Sequence, residues 1–272
     1  MPRVYVSGAF DDFGFEEVRF LEAASRFGAV RAFIWSDALV HARSGNFPKF
    51  PLPERLYLAH ASRWIDEAIV TADVPPEGLP LEAAAPGTWV VRERDDTGGQ
   101  RDKARARGLD YHVARDRELS EIPAGEDPSP ALLSTSAPRV IVTGSFDWMH
   151  SGHVRFFEEA SGLGVLYVVV GSDQNIRLLK GDGHPAFPEC KRRYLVHSVR
   201  SVSGTFISTG SGWMDAAPEI ERMRPTFYAV NEDGDKPEKR DFCSVHGIEY
   251  VVLKRIPREG LPPRSSTELR GF

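Results

Sequence analysis

Residues 140–164 read VIVTGSFDWMHSGHVRFFEEASGLG, and this stretch decides the fold. It begins with a short apolar run, Val140 to Val142, that is typical of a buried strand, and a turn follows at Gly144. Beyond the turn, apolar residues recur at helical spacing from Val154 until two glycines can end the helix. The stretch therefore predicts a strand, a tight loop and a helix, with two histidines at the helix entrance.

These histidines, His150 and His153, are spaced H-x-G-H around Gly152, at a place where helices bind anions. The first N–H groups of a helix are unpaired and carry partial positive charge, and a glycine there lets an anion approach the backbone. Ordinary loop residues or a metal pair are the alternatives, but no cysteine lies nearby and no third ligand is evident. The pattern therefore favours contact with the phosphates of a triphosphate.

The ten residues at 144–153, GSFDWMHSGH, resemble the G-x-F-D-x-x-H-x-G-H signature of the cytidylyltransferase-like nucleotidyltransferases. The resemblance covers most of 139–270, and it implies a Rossmann-like domain that transfers a nucleotidyl group and releases pyrophosphate. Members of this superfamily act on glycerol 3-phosphate, phosphoethanolamine, phosphocholine and heptose 1-phosphate. Besides Gly152, the resemblance implies that four signature residues bind the nucleotide: Gly144, Ser145, Phe146 and Asp147.

The first half of the chain repeats this stretch. Nine of the eighteen residues from Gly8 to Ser25 are identical to the residue 136 positions later, where about one match is expected from average composition. Matches continue as far as Tyr111 and Tyr250, near the end of each copy. The chain therefore has the pattern of a tandem duplication. We predict two Rossmann-like α/β nucleotidyltransferase domains, each with a mainly parallel sheet flanked by helices.

The two copies differ where the chemistry would take place. The first copy has GFEE at 14–17 in place of H-x-G-H, and its carboxylates would repel a triphosphate at a helix entrance. We therefore expect 1–121 to be a degenerate, non-catalytic domain, 122–138 a linker, and 139–272 the catalytic domain. For the first domain, three roles stay open: packing against the second, shaping the acceptor pocket, or holding an independent ligand site.

Two loops of the second copy resemble nucleotide-binding loops of the family. Lys180, followed by Gly-Asp-Gly, matches a mobile lysine loop, and Arg192 best matches the arginine that opens the next helix, with Arg193 competing. The resemblance implies that the lysine and this arginine neutralise the triphosphate. It also places the acidic turn with Asn231 and Asp233 near the nucleotide, although a solvated turn is the more frequent meaning of such a run.

A second hydroxyl-rich element ends the chain. Ser265 and Glu268 fit a capping box, so Ser265, Ser266 and Thr267 would stand together at a helix N-terminus. The element resembles the family's closing S-S/T-T, which contacts the β- and γ-phosphates. Arg270 fits the S-S-T-x-L-R form of adenylyl-transferring relatives, whereas cytidylyl-transferring relatives place an arginine just before the element. Three arginines are candidates for this preceding arginine: Arg255, Arg258 and Arg264.

Bulk composition narrows the class of protein. The net charge of −5 gives no sign of a general nucleic-acid surface. The two cysteines, Cys190 and Cys243, imply no disulfide framework and suit a reducing compartment. Since neither a membrane-spanning stretch nor a secretion signal is visible, we expect a cytoplasmic protein that binds no nucleic acid and does not insert into membranes. A homodimer is left open.

The resemblance implies transfer from a nucleoside triphosphate, with CTP expected, to a phosphorylated alditol, sugar or amino alcohol. The acceptor's own phosphate would be the nucleophile, so alignment and electrostatic stabilisation would supply the catalysis. We predict that His150 and His153 hold the α-phosphoryl group, and that Mg²⁺ arrives with the nucleotide, held by no protein metal site. The alternatives are the same reaction with ATP and a non-catalytic nucleotide-binding scaffold, against which the retained Lys180 and Ser-Ser-Thr argue.

Overall fold

The computed structural model describes residues 2–73, 78–125, 127–128, 136–266 and 269. The chain divides into two compact units, Met1–Ile122 and Pro123–Phe272. Among the described residues, no helix combines the length and the apolar character needed to cross a membrane.

The first unit is a five-stranded parallel sheet with helices between the strands. Its strands are β1 (Arg3–Gly8), β2 (Ala29–Trp35), β3 (Glu67–Thr71), β4 (Gly87–Arg92) and β5 (Asp110–Ala114). Its helices are α1 (Phe15–Ser25), α2 (Asp37–Ser44), α3 (Leu52–Ala61), α4 (Gln100–Ala106) and α5 (Asp116–Ser120). The strand order is β3-β2-β1-β4-β5, and every pairing is parallel.

The second unit has the same plan. Its strands are β6 (Arg139–Gly144), β7 (Val165–Val170), β8 (Gly204–Ile207), β9 (Phe227–Asn231) and β10 (Glu249–Leu253). Its helices are α6 (Ser151–Ser161), α7 (Asp173–Lys180), α8 (Glu189–His197), α9 (Ala217–Met223) and α10 (Pro237–His246), and short 3₁₀ turns lie at Gly212–Met214 and Glu232–Gly234. The order β10-β9-β6-β7-β8, again all parallel, is the order of the first unit. The predicted pair of Rossmann-like sheets is confirmed.

The duplication extends to the turn between the first helix and the second strand of each unit. Gly28 and Gly164 have φ angles of 144° and 157°, which L side chains rarely adopt. A Cβ atom at these positions would lie 2.1 Å from the Pro2 carbonyl oxygen and 2.2 Å from that of Pro138. Glycine is therefore required at both turns, because the chain passes directly over the start of the preceding strand.

Part of the expected linker packs against the second unit. Asp127 accepts ion-paired hydrogen bonds from Arg193 at 3.2 Å and Arg222 at 2.8 Å. Pro128 lies so close to Gly204 that a Cβ there would be 2.5 Å from the proline ring. These contacts hold 127–128 beside the edge strand β8, whereas 129–135 lie outside the described residues.

The strand order creates a crevice at the carboxyl ends of β6 and β9. In the sheet, β6 lies between β7 and β9. The connection that follows β6 leads to β7 on one side and the connection that follows β9 leads to β10 on the other, so the two connections diverge. Ligands of open α/β sheets bind at such a switch point. The signature loop follows β6 and the acidic turn follows β9, so the fold brings both to this crevice.

Candidate active site

His150 is the N-cap residue of α6. Its Nδ1 accepts a hydrogen bond from the Gly152 N–H at 3.1 Å, and the residue is 1% exposed. Because Nδ1 accepts, the neutral ring carries its proton on Nε2. This Nε2 has no hydrogen-bond partner among the described residues. His150 therefore offers a donor to a ligand at the start of α6.

His153 lies one turn further along α6 and stacks on His150, with ring centroids 3.9 Å apart and an interplanar angle of 20°. Its ring makes a hydrogen bond with the Trp148 backbone. Its Nδ1 is buried and has no hydrogen-bond partner within the described ranges. The two nitrogens differ, because the neutral His153 ring donates its proton to the Trp148 backbone and its Nδ1 is an acceptor, whereas His150 Nε2–H is a donor at the N-terminus of α6, where anions bind.

Both imidazoles are neutral at physiological pH. Burial lowers the pKa of His150 far below its ordinary value, and His153 and Arg255 lower it further. Burial, followed by Arg255, lowers the pKa of His153 to about 3, and Lys180 also contributes. Burial therefore keeps these rings uncharged in the free protein, and the neighbouring cations add to its effect.

These shifts predict how the second unit responds to acid. Since the pKa values lie below the ordinary 6.5, the unfolded chain takes up protons between pH 6.5 and about 3 while the folded chain does not. The free energy of unfolding should therefore fall as the pH falls through this window. ¹⁵N NMR should show both rings neutral down to pH 5, and either ring titrating near pH 6.5 would contradict the assignment.

Lys180 extends from the last turn of α7 to the signature loop. Its Nζ donates a hydrogen bond to Ser145 Oγ at 2.9 Å, and its side chain is exposed. Gly181, with a φ of 82°, ends the helix immediately afterwards. The structure therefore brings Lys180, Ser145 and the two histidines together at the carboxyl end of β6.

Arg192 lies beneath this site and does not face it. It is 0% exposed, and its guanidinium donates to the carbonyl oxygens of Phe187 (2.8 Å), Ser145 (2.6 Å) and Gly171 (2.8 Å) and to Asp173 Oδ1 (2.7 Å). The predicted contact with the triphosphate is corrected: the donors are directed at fixed backbone oxygens. Arg192 instead holds the loops after β6 and β7 in place.

The first unit repeats this arrangement at Arg55. Its guanidinium donates to the carbonyl oxygens of Phe50, Ala9 and Trp35 and to Asp37, and it is also 0% exposed. Since the buried arginine is present in a unit that has lost H-x-G-H, it serves the fold of both units.

Two other signature residues also support the loop from below. The Asp147 carboxylate accepts hydrogen bonds from the N–H groups of Ala186 (2.8 Å) and Phe187 (3.0 Å). Phe146 is buried, and its ring contacts that of His153 edge-on at 5.3 Å. It also fills the space beside Gly144, where a Cβ would lie 2.8 Å from the ring. The side chains of Phe146 and Asp147 therefore hold the loop in place, and the contact of these two residues with the nucleotide stays a prediction.

A cavity of about 260 Å³ opens beside the start of α6. Its walls include Gly152 and Phe156 from α6, Asn231 from the end of β9, and Ser265 from the C-terminal segment. A Cβ at Gly152 would come within 3.0 Å of the His150 ring, so glycine keeps this entrance open. Asn231 and Ser265 therefore line the same cavity, and their contact with the nucleotide stays a prediction.

The remaining predicted residues border this cavity in different ways. Asp233 is paired with Arg255 at 2.9 Å, and Arg255 also donates to the Arg264 carbonyl oxygen at 2.7 Å. Arg255 and Arg264 line the cavity, whereas Arg258 pairs with Glu158 at 3.6 Å. Ser266 Oγ lies 3.5 Å from the Trp148 carbonyl oxygen. Three residues of the closing element lie outside the described residues: Thr267, Glu268 and Arg270.

A buried lysine on the other face of the sheet was not singled out by any sequence pattern. Lys239, in the first turn of α10, is 8% exposed, and its Nζ lies 3.4 Å from Thr143 Oγ1 and 5.5 Å from the centroid of the Tyr228 ring. Burial lowers its pKa, and Asp215 partly opposes this effect. A comparison of the two repeats could have singled out Lys239. It lies eight residues before Gly247, and the residue eight positions before the equivalent Gly108 is Gln100, so the two copies differ here.

The first unit fills its own crevice with side chains. When the strand registers of the two sheets are matched, Arg92 of the first unit corresponds to Asn231 of the second. Trp35 corresponds in the same way to Gly171. Arg92 pairs with Glu17 at 3.2 Å, at the position of His153, and the Trp35 indole donates to Ser7 Oγ at 2.6 Å. Glu17 is buried, so these side chains fill the first crevice, and the non-catalytic role of the first unit stays a prediction.

Acidic and histidine side chains do not cluster at the second crevice. In 2–73, 78–125, 127–128, 136–266 and 269, no group of three or more His, Cys, Asp or Glu side chains could hold a metal ion. A Mg²⁺ ion that arrives with the nucleotide and is held mainly by phosphates and water stays a prediction.

Comparison with known proteins adds an independent finding. The cytidylyltransferase-like family model matches residues 141–270. The FAD synthase of Ferroglobus placidus is 31% identical over 134 residues, which are 48% of this chain and 84% of that protein. The FAD synthase of Aciduliprofundum boonei is 34% identical over 43% of this chain and 76% of its own length.

Two further matches are to proteins with other names. The bifunctional protein HldE of Methylococcus capsulatus is 37% identical over 44% of this chain and 24% of its own length. The solved structure of a lipopolysaccharide core biosynthesis protein from Thermoplasma volcanium is 24% identical, covers 46% of this chain and 100% of its own, and has a TM-score of 0.39. By its family model and its FAD synthase relatives, the chain belongs to the cytidylyltransferase-like family of nucleotidyltransferases.

Proposed function

We propose that the second unit transfers an adenylyl group from ATP to the phosphate of a small phosphomonoester and releases pyrophosphate. The observation that carries this proposal is the neutral His150, whose Nε2–H has no partner among the described residues and lies at the N-terminus of α6, with the His153 ring stacked on it. A phosphoryl group that gains negative charge during the reaction is the ligand that such a site stabilises most.

The reaction needs no protein nucleophile. An acceptor phosphate oxygen forms a bond to the α-phosphorus of ATP while the bond to the bridging oxygen breaks, and pyrophosphate leaves with that electron pair. His150 Nε2–H donates to an α-phosphoryl oxygen, and Lys180 neutralises the charge of the leaving group. Ser265, Ser266 and Thr267 bind the β- and γ-phosphates, and Gly144, Ser145, Gly152, Asn231 and Asp233 surround the nucleotide. Mg²⁺ bound by the phosphates would offset their charge.

ATP is favoured over the CTP that the signature alone suggests. FAD contains an adenylyl group, and relatives named FAD synthase match over most of their own length. Residues 265–270 also read S-S-T-E-L-R, the form that the resemblance assigns to adenylyl-transferring relatives. CTP transfer is the alternative that the assay below must reject.

The acceptor approaches from the opposite face of the sheet. An in-line displacement places the attacking and leaving oxygens on opposite sides of the phosphorus. The histidines and Lys180 lie on the α6 side of β6, whereas Lys239 lies beside Thr143 on the α10 side. We assign Lys239 to the acceptor phosphate, since its buried ammonium has one hydrogen-bond partner among the described residues, at 3.4 Å.

The function is tested by measuring pyrophosphate release from ATP, CTP, GTP and UTP with a panel of phosphomonoesters. We expect release with ATP that depends on an added acceptor, and one ATP bound per chain because the first crevice is filled. Release with CTP alone would reject the adenylyl assignment. Nucleotide binding without release from any triphosphate would support a scaffold instead.

Lys239→Gln is expected to raise the KM for the acceptor by roughly 10–100-fold, the equivalent of a charged hydrogen bond of about 1.5–3 kcal/mol. The fold should tolerate the change, because the first unit has Gln100 at this position. The KM for ATP should change little, and exposed Lys103→Gln is the charge-matched control. An unchanged acceptor KM with a higher ATP KM would place Lys239 on the nucleotide instead.

A further inference from the structure

Three polar side chains meet on the α10 side of β6. Tyr228 Oη lies 2.8 Å from Thr143 Oγ1, and Lys239 Nζ lies 3.4 Å from the same oxygen. Tyr228 is 1% exposed and Lys239 is 8% exposed, whereas Thr143 is partly exposed near the carboxyl end of β6. Thr143 is therefore the most accessible of the three to a ligand in the crevice.

The buried phenol determines which hydroxyl donates. The hydroxyl of Tyr228 has Thr143 as its one hydrogen-bond partner within the described ranges. If Thr143 donated this hydrogen bond, the Tyr228 O–H would be buried without an acceptor, which is strongly unfavourable. Tyr228 therefore donates, and Thr143 Oγ1 accepts.

This direction makes the Thr143 O–H available to a ligand. A hydroxyl oxygen has two lone pairs and one O–H. Tyr228 takes one lone pair, and the Lys239 ammonium, which can only donate, faces the other. In the part of the chain that the structure describes, no acceptor remains for the Thr143 O–H. Two donors, Thr143 and Lys239, are thus presented together.

The charges near these donors favour an anion. Lys239 lies in the first turn of α10, and Lys236 is the N-cap residue. Among the described residues no side chain caps this helix, so its first N–H groups add partial positive charge. Asp215 is the carboxylate that acts most strongly on Lys239. Asp233 and Asp235 also lie nearby, but each is paired with an arginine.

The first unit differs at all three positions. The repeat and the strand registers give the equivalent residues: Ser7 for Thr143, Trp89 for Tyr228 and Gln100 for Lys239. Trp89 carries no hydroxyl and Gln100 carries no charge, while Ser7 Oγ accepts a hydrogen bond from the Trp35 indole at 2.6 Å. The phenol and the ammonium are therefore absent together from the unit that lacks H-x-G-H.

We infer that the Thr143 hydroxyl and the Lys239 ammonium bind one phosphate of the acceptor together, and that Tyr228 is a positioning residue that directs the Thr143 O–H. This inference rests on the proposed function, which assigns Lys239 to the acceptor phosphate, and adds a second donor to that contact. A phosphate suits both donors, because its oxygens carry negative charge and accept several hydrogen bonds at once.

The binding test uses inorganic phosphate as the probe. The full chain is first saturated with α,β-methylene-ATP, which occupies the nucleotide site and does not react at its α–β linkage. Thr143→Val should raise the phosphate dissociation constant roughly 10–100-fold, as for a hydrogen bond to a charged group. Tyr228→Phe should raise it roughly 2–10-fold, because the Thr143 O–H loses its fixed direction. Thr143→Ser keeps the hydroxyl and should bind phosphate like the wild type.

A double variant separates phosphate binding from stability. Thr143→Val alone leaves the Tyr228 O–H without an acceptor, so it should lower the free energy of unfolding. Combining it with Tyr228→Phe removes both partners and should recover much of the stability, while phosphate binding should stay weak. Ser7→Ala, the equivalent change in the first unit, is the control and should leave phosphate binding unchanged.

Two binding results would overturn the inference. The first is phosphate binding that is equal in wild type and Thr143→Val, or absent from both. The second is recovery of phosphate binding in the double variant, because Thr143 would then act only through stability.

Turnover separates this inference from the proposed function. With each phosphomonoester that supports pyrophosphate release, Thr143→Val should raise the acceptor KM and leave the ATP dissociation constant unchanged. An unchanged acceptor KM would overturn the inference and leave adenylyl transfer intact. Phosphate binding that depends on Thr143, without release from any triphosphate, would support the phosphate site and overturn the enzyme assignment.

Discussion

His150→Ala and His153→Ala are each expected to lower turnover by roughly 10²–10³, or about 2.7–4 kcal/mol, as for the loss of an oxyanion-hole donor. The physical reason is that the His150 Nε2–H interacts most strongly with the α-phosphoryl group as its charge develops, and that the stacked His153 ring holds His150 in place. The ATP dissociation constant should rise much less, because the contact is weak before the transition state. Both quantities should be measured side by side for each variant.

The controls come from the first unit, at the entrance of α1. Glu17→Gln changes the residue that corresponds to His153, and Glu16→Ala changes its exposed neighbour. Both variants should turn over at nearly the wild-type rate. Normal turnover in both histidine variants would show that the rings are not catalytic. A tightly bound zinc whose removal unfolds the second unit would make the pair structural.

Arg192→Ala is expected to destabilise the second unit by about 3–5 kcal/mol, because it leaves Asp173 without its buried partner and three carbonyl oxygens without donors. Arg192→Lys keeps the charge but not the planar fork, so an intermediate loss is expected. Hydrogen exchange followed by mass spectrometry in increasing urea would report the stability of each unit separately.

Arg55→Ala provides the matched test in the first unit. It removes the same set of contacts there, so the first unit should lose similar stability while the second keeps its own. A triphosphate contact would give the opposite result. Arg192→Ala would then weaken ATP binding without destabilising the unit, and Arg55→Ala would be silent.

The local pattern of the sequence was sufficient for the fold and for the centre of the site. A buried strand, a glycine turn and an amphipathic helix depend on neighbours in the chain, so 140–164 predicted β6, the loop and α6 directly. The repeat of this pattern predicted a second sheet, and both sheets have the same strand order. The position of His150 and His153 at the N-terminus of α6 followed as well, since a helix N-terminus is a local feature, and phosphate binding there stays a prediction.

The direction of a side chain and the identity of its partners depend on distant segments of the chain. Only the tertiary structure determined these two properties. Arg192 matches a phosphate-binding arginine in sequence, yet the carbonyl oxygens that surround it come from three separate loops. Lys239 is an ordinary helical lysine until α10 packs beside Thr143. Trp35 and the pair Glu17–Arg92 close the first crevice because parallel strands bring their carboxyl ends together. Residue types determined which chemistry was available, whereas packing determined which side chains can reach a ligand.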